Sequence, residues 1–135
     1  MLLVGIDPGV KTGFCMINAD SRKVEMLATL KIHDAMDIVR GNKDSIYKVF
    51  IEDPNMWTHF TDKNAKKRLQ GAGSVKRDFG IWKDFLEAYG IKFIALRPDK
   101  RRNEFAYNID LFKKISGHEG RCSEHARVAY MLISK

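Results

Sequence analysis

Two β-rich runs far apart in the chain each carry an acidic residue to a proline turn. The apolar run Leu2-Leu3-Val4-Gly5-Ile6 delivers Asp7 to Pro8-Gly9, and Tyr47-Lys48-Val49-Phe50-Ile51 delivers Glu52 to Asp53-Pro54. A short continuous apolar run bounded by a turn is the pattern of a buried strand. If the two strands lie side by side and parallel, both carboxylates emerge at the carboxyl edge of one sheet, which requires a helical crossover between them. Oxygen ligands so gathered suit hard cations such as magnesium. Paired ions activate water and steady the leaving oxygen of a phosphodiester, so the pattern points to a nuclease. Asp before Pro-Gly is also ordinary turn chemistry, whereas a charge closing a buried strand, as Glu52 does, is costly unless paired. Side chains alternate across a strand, so only one of Glu52 and Asp53 faces the site; Asp53 is expected to open the turn.

Composition narrows the partner. The chain has 135 residues, 44% of them hydrophobic, enough for one domain over residues 1–135 with a proper core. Its formal charge of +7 is unevenly spread: residues 1–62 hold seven Lys/Arg against nine Asp/Glu, and residues 63–102 hold twelve against four. A basic block beside a neutral or acidic one suggests a phosphate-binding surface next to a metal site. Cys15 and Cys122 form neither a disulfide framework nor a metal-type pair, and zinc would need more ligands than Cys122 and His125. With no signal-like start and no apolar run approaching a membrane span, a soluble, cytoplasmic protein is expected.

The first stretch reads as a three-stranded meander over residues 2–7, 12–18 and 23–30. Ile32, Ala35, Met36 and Val39 then have the spacing of a short amphipathic helix over residues 33–40. Residues 45–52 form the fourth strand. A loop carrying Trp57, His59 and Phe60 follows, then a long basic helix over residues 65–89 with Leu69, Ala72, Val75, Phe79, Trp82, Phe85 and Leu86 on one side. Gly90 stops it, residues 91–96 are the fifth strand, and Asp99-Lys100-Arg101-Arg102 is expected to be a basic turn. A short helix over residues 109–115 precedes a last one capped by Ser123, with Glu124 in its favourable first turn. The predicted fold is α/β: a mixed five-stranded sheet, strands 1–3 antiparallel and strands 4 and 5 parallel to strand 1, flanked by helices.

The motifs Gly5-Ile6-Asp7-Pro8-Gly9, Ile51-Glu52 and Glu124-His125-Ala126-Arg127, in this order, resemble those of the RuvC Holliday-junction resolvases, and most of all the short phage and prophage branch. Leu69-Gln70-Gly71-Ala72-Gly73 is similar to the start of that family's long central helix, and the stretch from Phe112-Lys113-Lys114-Ile115-Ser116-Gly117 to Ala129 is similar to the phage-type carboxyl end. The resemblance implies a ribonuclease H-like fold, a homodimer, and two magnesium (or manganese) ions held by acidic residues. It also implies symmetric cutting of branched DNA in a bacterial host cell, leaving 5′-phosphate ends. Asp7 and Glu52 carry over as metal ligands. The family's last helix supplies an Asp or His, matched by His125, and three residues on an Asp, where this chain has Val128. Glu124 lies one helical turn before Val128 on the same face, so either its longer arm fills the gap or the site is weakened.

His125 is therefore expected to bind metal or take a proton from the attacking water. Trp57 or Phe60, just after Glu52, is a candidate wedge against an unpaired base. Lys66, Lys67, Arg68, Lys76, Arg77, Lys100, Arg101 and Arg102 are expected to hold phosphates without reading sequence, and Arg127 is a salt-bridge or phosphate partner. The expected activity is metal-dependent, structure-selective cleavage of four-way or otherwise branched DNA, with no nucleotide cofactor and no membrane. The alternatives are a junction-binding protein with weakened catalysis and a ribonuclease H-type hydrolase of RNA–DNA hybrids. Gly-Ile-Asp also opens actin-like ATPases, but no Gly-rich second phosphate loop accompanies it here.

Overall fold

In a computed structural model of the chain, residues 1–56 and 65–133 are described, without the side chains of residues 65–73, 101, 103 and 105. The strands are β1 (Leu2–Asp7), β2 (Lys11–Asn18), β3 (Val24–Lys31), β4 (Ile46–Glu52) and β5 (Phe93–Leu96). They form one sheet in the order β3-β2-β1-β4-β5. β1 is antiparallel to β2 and β2 to β3, while β4 is parallel to both β1 and β5. The crossover from the meander to β4 is helix α1 (Ile32–Gly41), as the parallel pairing requires. The remaining helices are α2 (Ala65–Ala88), α3 (Lys100–Tyr107), α4 (Ile109–Ser116) and α5 (Glu124–Met131).

The period-2 alternation of the strands divides the molecule into two cores. Val4 and Ile6 of β1, Phe14 and Met16 of β2, and Val49 and Ile51 of β4 pack under Ala35 and Val39 of α1 and Phe79, Trp82 and Leu86 of α2. On the other face Cys15 and Ile17 meet Ala106 of α3, Phe112 of α4, and Val128, Ala129 and Met131 of α5. Gly90 ends α2 at φ 65°, a left-handed conformation that costs glycine nothing.

One element departs from the expectation. Residues 100–102 do not form a basic turn but open α3, capped by Asp99, whose Oδ1 accepts from the Arg102 amide at 3.2 Å. Apolar residues are sparse in this helix, so no amphipathic stripe announced it; the signal was the cap residue Asp99 after Pro98. Among the described residues no helix is long and apolar enough to cross a membrane.

Candidate functional site

Strand parity sets where the acids point. Asp7 follows Leu3 and Gly5 on β1, and Glu52 follows Phe50 on β4, all on the face covered by α5. In register Ile6 stands beside Ile51, so the next residues, Asp7 and Glu52, close two neighbouring strands. Both side chains are 15% exposed. Asp53 turns away, as expected: its Oδ1 accepts from the Asn55 backbone and side-chain amides at 2.9 and 3.0 Å, building the turn after β4.

His125 is brought to Asp7 by a close backbone contact. Asp7 pairs with Gly13 across β1 and β2, and a Cβ on Gly13 would collide with the His125 carbonyl oxygen; one on Gly5 would collide with that of Ala129. Without those side chains α5 lies directly on the strands. Ser123 fixes the helix start, its hydroxyl accepting from the Ala126 amide at 3.1 Å and meeting the Thr29 hydroxyl of β3. His125 Nδ1 then lies 3.0 Å from Asp7 Oδ2. An ionised carboxylate only accepts, so Nδ1 carries the proton and Nε2 is left for chemistry. This hydrogen bond, aided by the charges of Asp7 and Glu124 and opposed by partial burial and Lys11, raises the imidazole pKa. Gly13 was not singled out in the sequence, although a glycine inside a strand pattern is a sign of close approach.

Glu52 lies in a different environment. Burial, and then the neighbouring Asp7 charge, push its carboxyl up to about 7, against the pull of Arg102. Arg102 Nη2 is 3.5 Å from Glu52 Oε2, yet that oxygen is buried with no hydrogen-bond partner. A buried, unsatisfied oxygen beside a second carboxylate fits a hard cation. Asp7 and Glu52 are the residues suited to hold one, with His125 adjacent. Among the described residues no three His, Cys, Asp or Glu side chains form a cluster able to hold an ion, so water or substrate oxygens would complete the shell.

Tyr107, at the end of α3, was missed in the sequence. Partial burial, and then the charge of Glu124 with smaller contributions from Glu52 and Asp7, raises the pKa of its phenol. Glu124, whose charge acts on both Tyr107 and His125, is thus on the rim of the same site, while Val128 is buried in the apolar core.

The basic residues divide. Arg127, expected as a salt-bridge or phosphate partner, instead ties backbone together: it is 8% exposed, Nε donates to the Ala106 carbonyl, and Nη1 donates to that of Cys122 at 2.8 Å. Arg102 is also turned inward. Lys100 is exposed at the start of α3, and Lys76 and Arg77 are exposed on α2, which covers the opposite face of the sheet. Trp57 and Phe60 lie outside the described residues, as do the side chains of Lys66, Lys67, Arg68 and Arg101.

No protein-family model matches the sequence, and no curated protein matches it. Solved structures do. Thermus thermophilus RuvC in complex with a Holliday junction substrate superposes with a TM-score of 0.63 at 14% identity, covering 99% of this chain and 91% of that one. Another Thermus thermophilus RuvC structure gives 0.56 at 13% identity, covering 97% and 92%. At these identities the likeness establishes the fold, a ribonuclease H-like mixed five-stranded sheet flanked by helices.

Proposed function

We propose that this chain is a RuvC-like, metal-dependent endodeoxyribonuclease that resolves Holliday junctions or other branched DNA. The observation that carries this reading is the convergence of Asp7 and Glu52 at the ends of adjacent parallel strands, under a helix that lays His125 on Asp7. The fold it shares with a resolvase bound to a Holliday junction adds support. Asp7 and Glu52 hold magnesium or manganese, two ions in the full assembly. The chemistry such ions supply is activation of water and stabilisation of the leaving oxygen. Asp7 orients the His125 ring through Nδ1, leaving Nε2 to take the proton of the attacking water. Glu124 and Tyr107 form one wall of the site. Exposed cations such as Lys76, Arg77 and Lys100, with Lys66, Lys67, Arg68 and Arg101, hold phosphates, and Trp57 or Phe60 supports the crossover. The protein works as a homodimer on a symmetric substrate, with the long α2 as the candidate pairing surface, in the cytoplasm of a phage- or prophage-bearing cell.

Val128 in place of a ligand, together with the absence of a three-ligand cluster among the described residues, favours one second reading: a junction-binding protein that cuts slowly or not at all. Incubating a synthetic four-way junction, a linear duplex and an RNA–DNA hybrid with the protein in magnesium or manganese separates the readings. Paired nicks confined to the junction, lost in Glu52→Gln and His125→Ala, are the expected result. Junction binding without nicks selects the second reading, and preferential hybrid cleavage overturns both.

A further inference from the structure

We propose that Arg102 is the resident cation beside Glu52: it occupies the carboxylate's flank in the metal-free protein, and a divalent ion must displace it to load the site. The inference rests on the reading of Glu52 as a metal ligand. The Arg102 side chain is 11% exposed and lies beside a Glu52 that is 15% exposed. Two charges so far from water need each other. Yet the pair is incompletely made. At 3.5 Å the two groups attract each other, but Glu52 Oε2 and Arg102 Nε both remain buried without hydrogen-bond partners. The short hydrogen bond of Arg102 Nη2, 2.6 Å, goes instead to the Arg97 carbonyl.

A pair serving stability alone tends to close as a bidentate fork. This one leaves the carboxylate an oxygen with no donor, next to Asp7, while the guanidinium is tethered at Arg97 and its backbone amide is held by Asp99 at 3.2 Å. The amide hydrogen bond to Asp99 holds the start of α3 whichever way the side chain points, so loading requires only that Nη2 give up its place between Arg97 and Glu52. Magnesium binds carboxylate oxygen at about 2.0–2.1 Å with twice the charge, a stronger partner once it sheds water. A guanidinium 3.5 Å from that oxygen repels the incoming ion, so the two compete and Arg102 sets the concentration at which the site fills. Arg102→Gln is therefore expected to bind metal more tightly, the opposite of what loss of a merely structural residue produces.

The test is calorimetric titration of the full chain with manganese alone, without DNA, for wild type, Arg102→Gln, Arg102→Lys and Glu52→Gln. Arg102→Gln should bind about tenfold more tightly than wild type, a change of about 1.4 kcal/mol. Arg102→Lys, which keeps the charge, should lie between them, and Glu52→Gln should lose binding. Should Arg102→Gln fail to fold, magnesium titration of wild type followed by nitrogen-15 NMR decides: the Arg102 Nε–Hε resonance should shift on loading. Equal or weaker binding by Arg102→Gln, or an unmoved resonance at saturation, overturns the proposal. If wild type binds manganese and Glu52→Gln does not, while Arg102→Gln gains nothing, only this inference falls. If neither wild type nor Arg102→Gln binds manganese, the metal reading falls with it.

Discussion

The two faces of the sheet are closed by different means. On one, Phe79, Trp82 and Leu86 of α2 press large side chains onto Val4, Ile6, Val49 and Ile51. On the other, α5 rests its backbone on Gly5 and Gly13, and only beyond them do Cys15 and Ile17 meet side chains of the helices. Layers packed through side chains stand about 10 Å apart. Glycine removes that spacing, and His125 Nδ1 comes to 3.0 Å from Asp7. Volume holds one face together; on the other, missing volume builds the site. The contrast teaches that the same strands serve as scaffold on one side and carry the candidate site on the other, with alternate residues assigned to each.

Substitutions on the two faces should therefore separate stability from activity. The largest expected effect belongs to the acids: Asp7→Asn or Glu52→Gln should lower junction cleavage by roughly 10³-fold, about 4 kcal/mol of transition-state stabilisation, with circular dichroism unchanged. Retained cleavage would break the assignment. Leu86→Ala, in the opposite core, should cost about 3 kcal/mol of unfolding free energy in urea, with cleavage by the remaining folded protein near wild type. Gly13→Ala should cost about 1–3 kcal/mol by overpacking and, unlike Leu86→Ala, also lower the rate of the folded fraction. Equal activity in both variants would remove the distinction between the faces.

A pH measurement sharpens the same contrast. The Glu52 carboxyl, raised from 4.5 to about 7, binds its proton more tightly in the folded chain than in the unfolded one. Its contribution is fully present below about pH 4.5 and is lost as pH rises through about 7. Without divalent ions, wild type should therefore lose on the order of 2 kcal/mol relative to Glu52→Gln between pH 4.5 and pH 8, read from chemical denaturation at each pH. A constant difference would show that Glu52 carries no such penalty. The smallest effect is expected at the helix start, where Ser123→Ala should cost about 1 kcal/mol by removing the cap and weaken the His125 contact with Asp7.

Much of this was legible in the residues. Apolar runs ending in Asp7 and Glu52 announced two strands and their acids, the Ile32 to Val39 spacing announced the crossover, and Gly90 and Ser123 marked helix ends. Helix α3 was not legible, because Lys100 to Tyr107 has too few apolar residues for a stripe and is held by Asp99 and by the Arg127 bond to Ala106. The roles of Arg102, Arg127 and Tyr107 were hidden with it. A basic residue in sequence looks the same whether it faces a phosphate, a carbonyl or a buried carboxylate.

Local pattern thus decided the strands, their order of charge and apolar residues, and the faces on which alternate side chains fall, because periodicity is a property of neighbouring residues. Which cations turn inward, how near α5 approaches, and what completes the surroundings of Glu52 were decided by packing between remote segments. Those outcomes depend on burial and on the room left at Gly5 and Gly13, and neither exists until the helices are laid on the sheet.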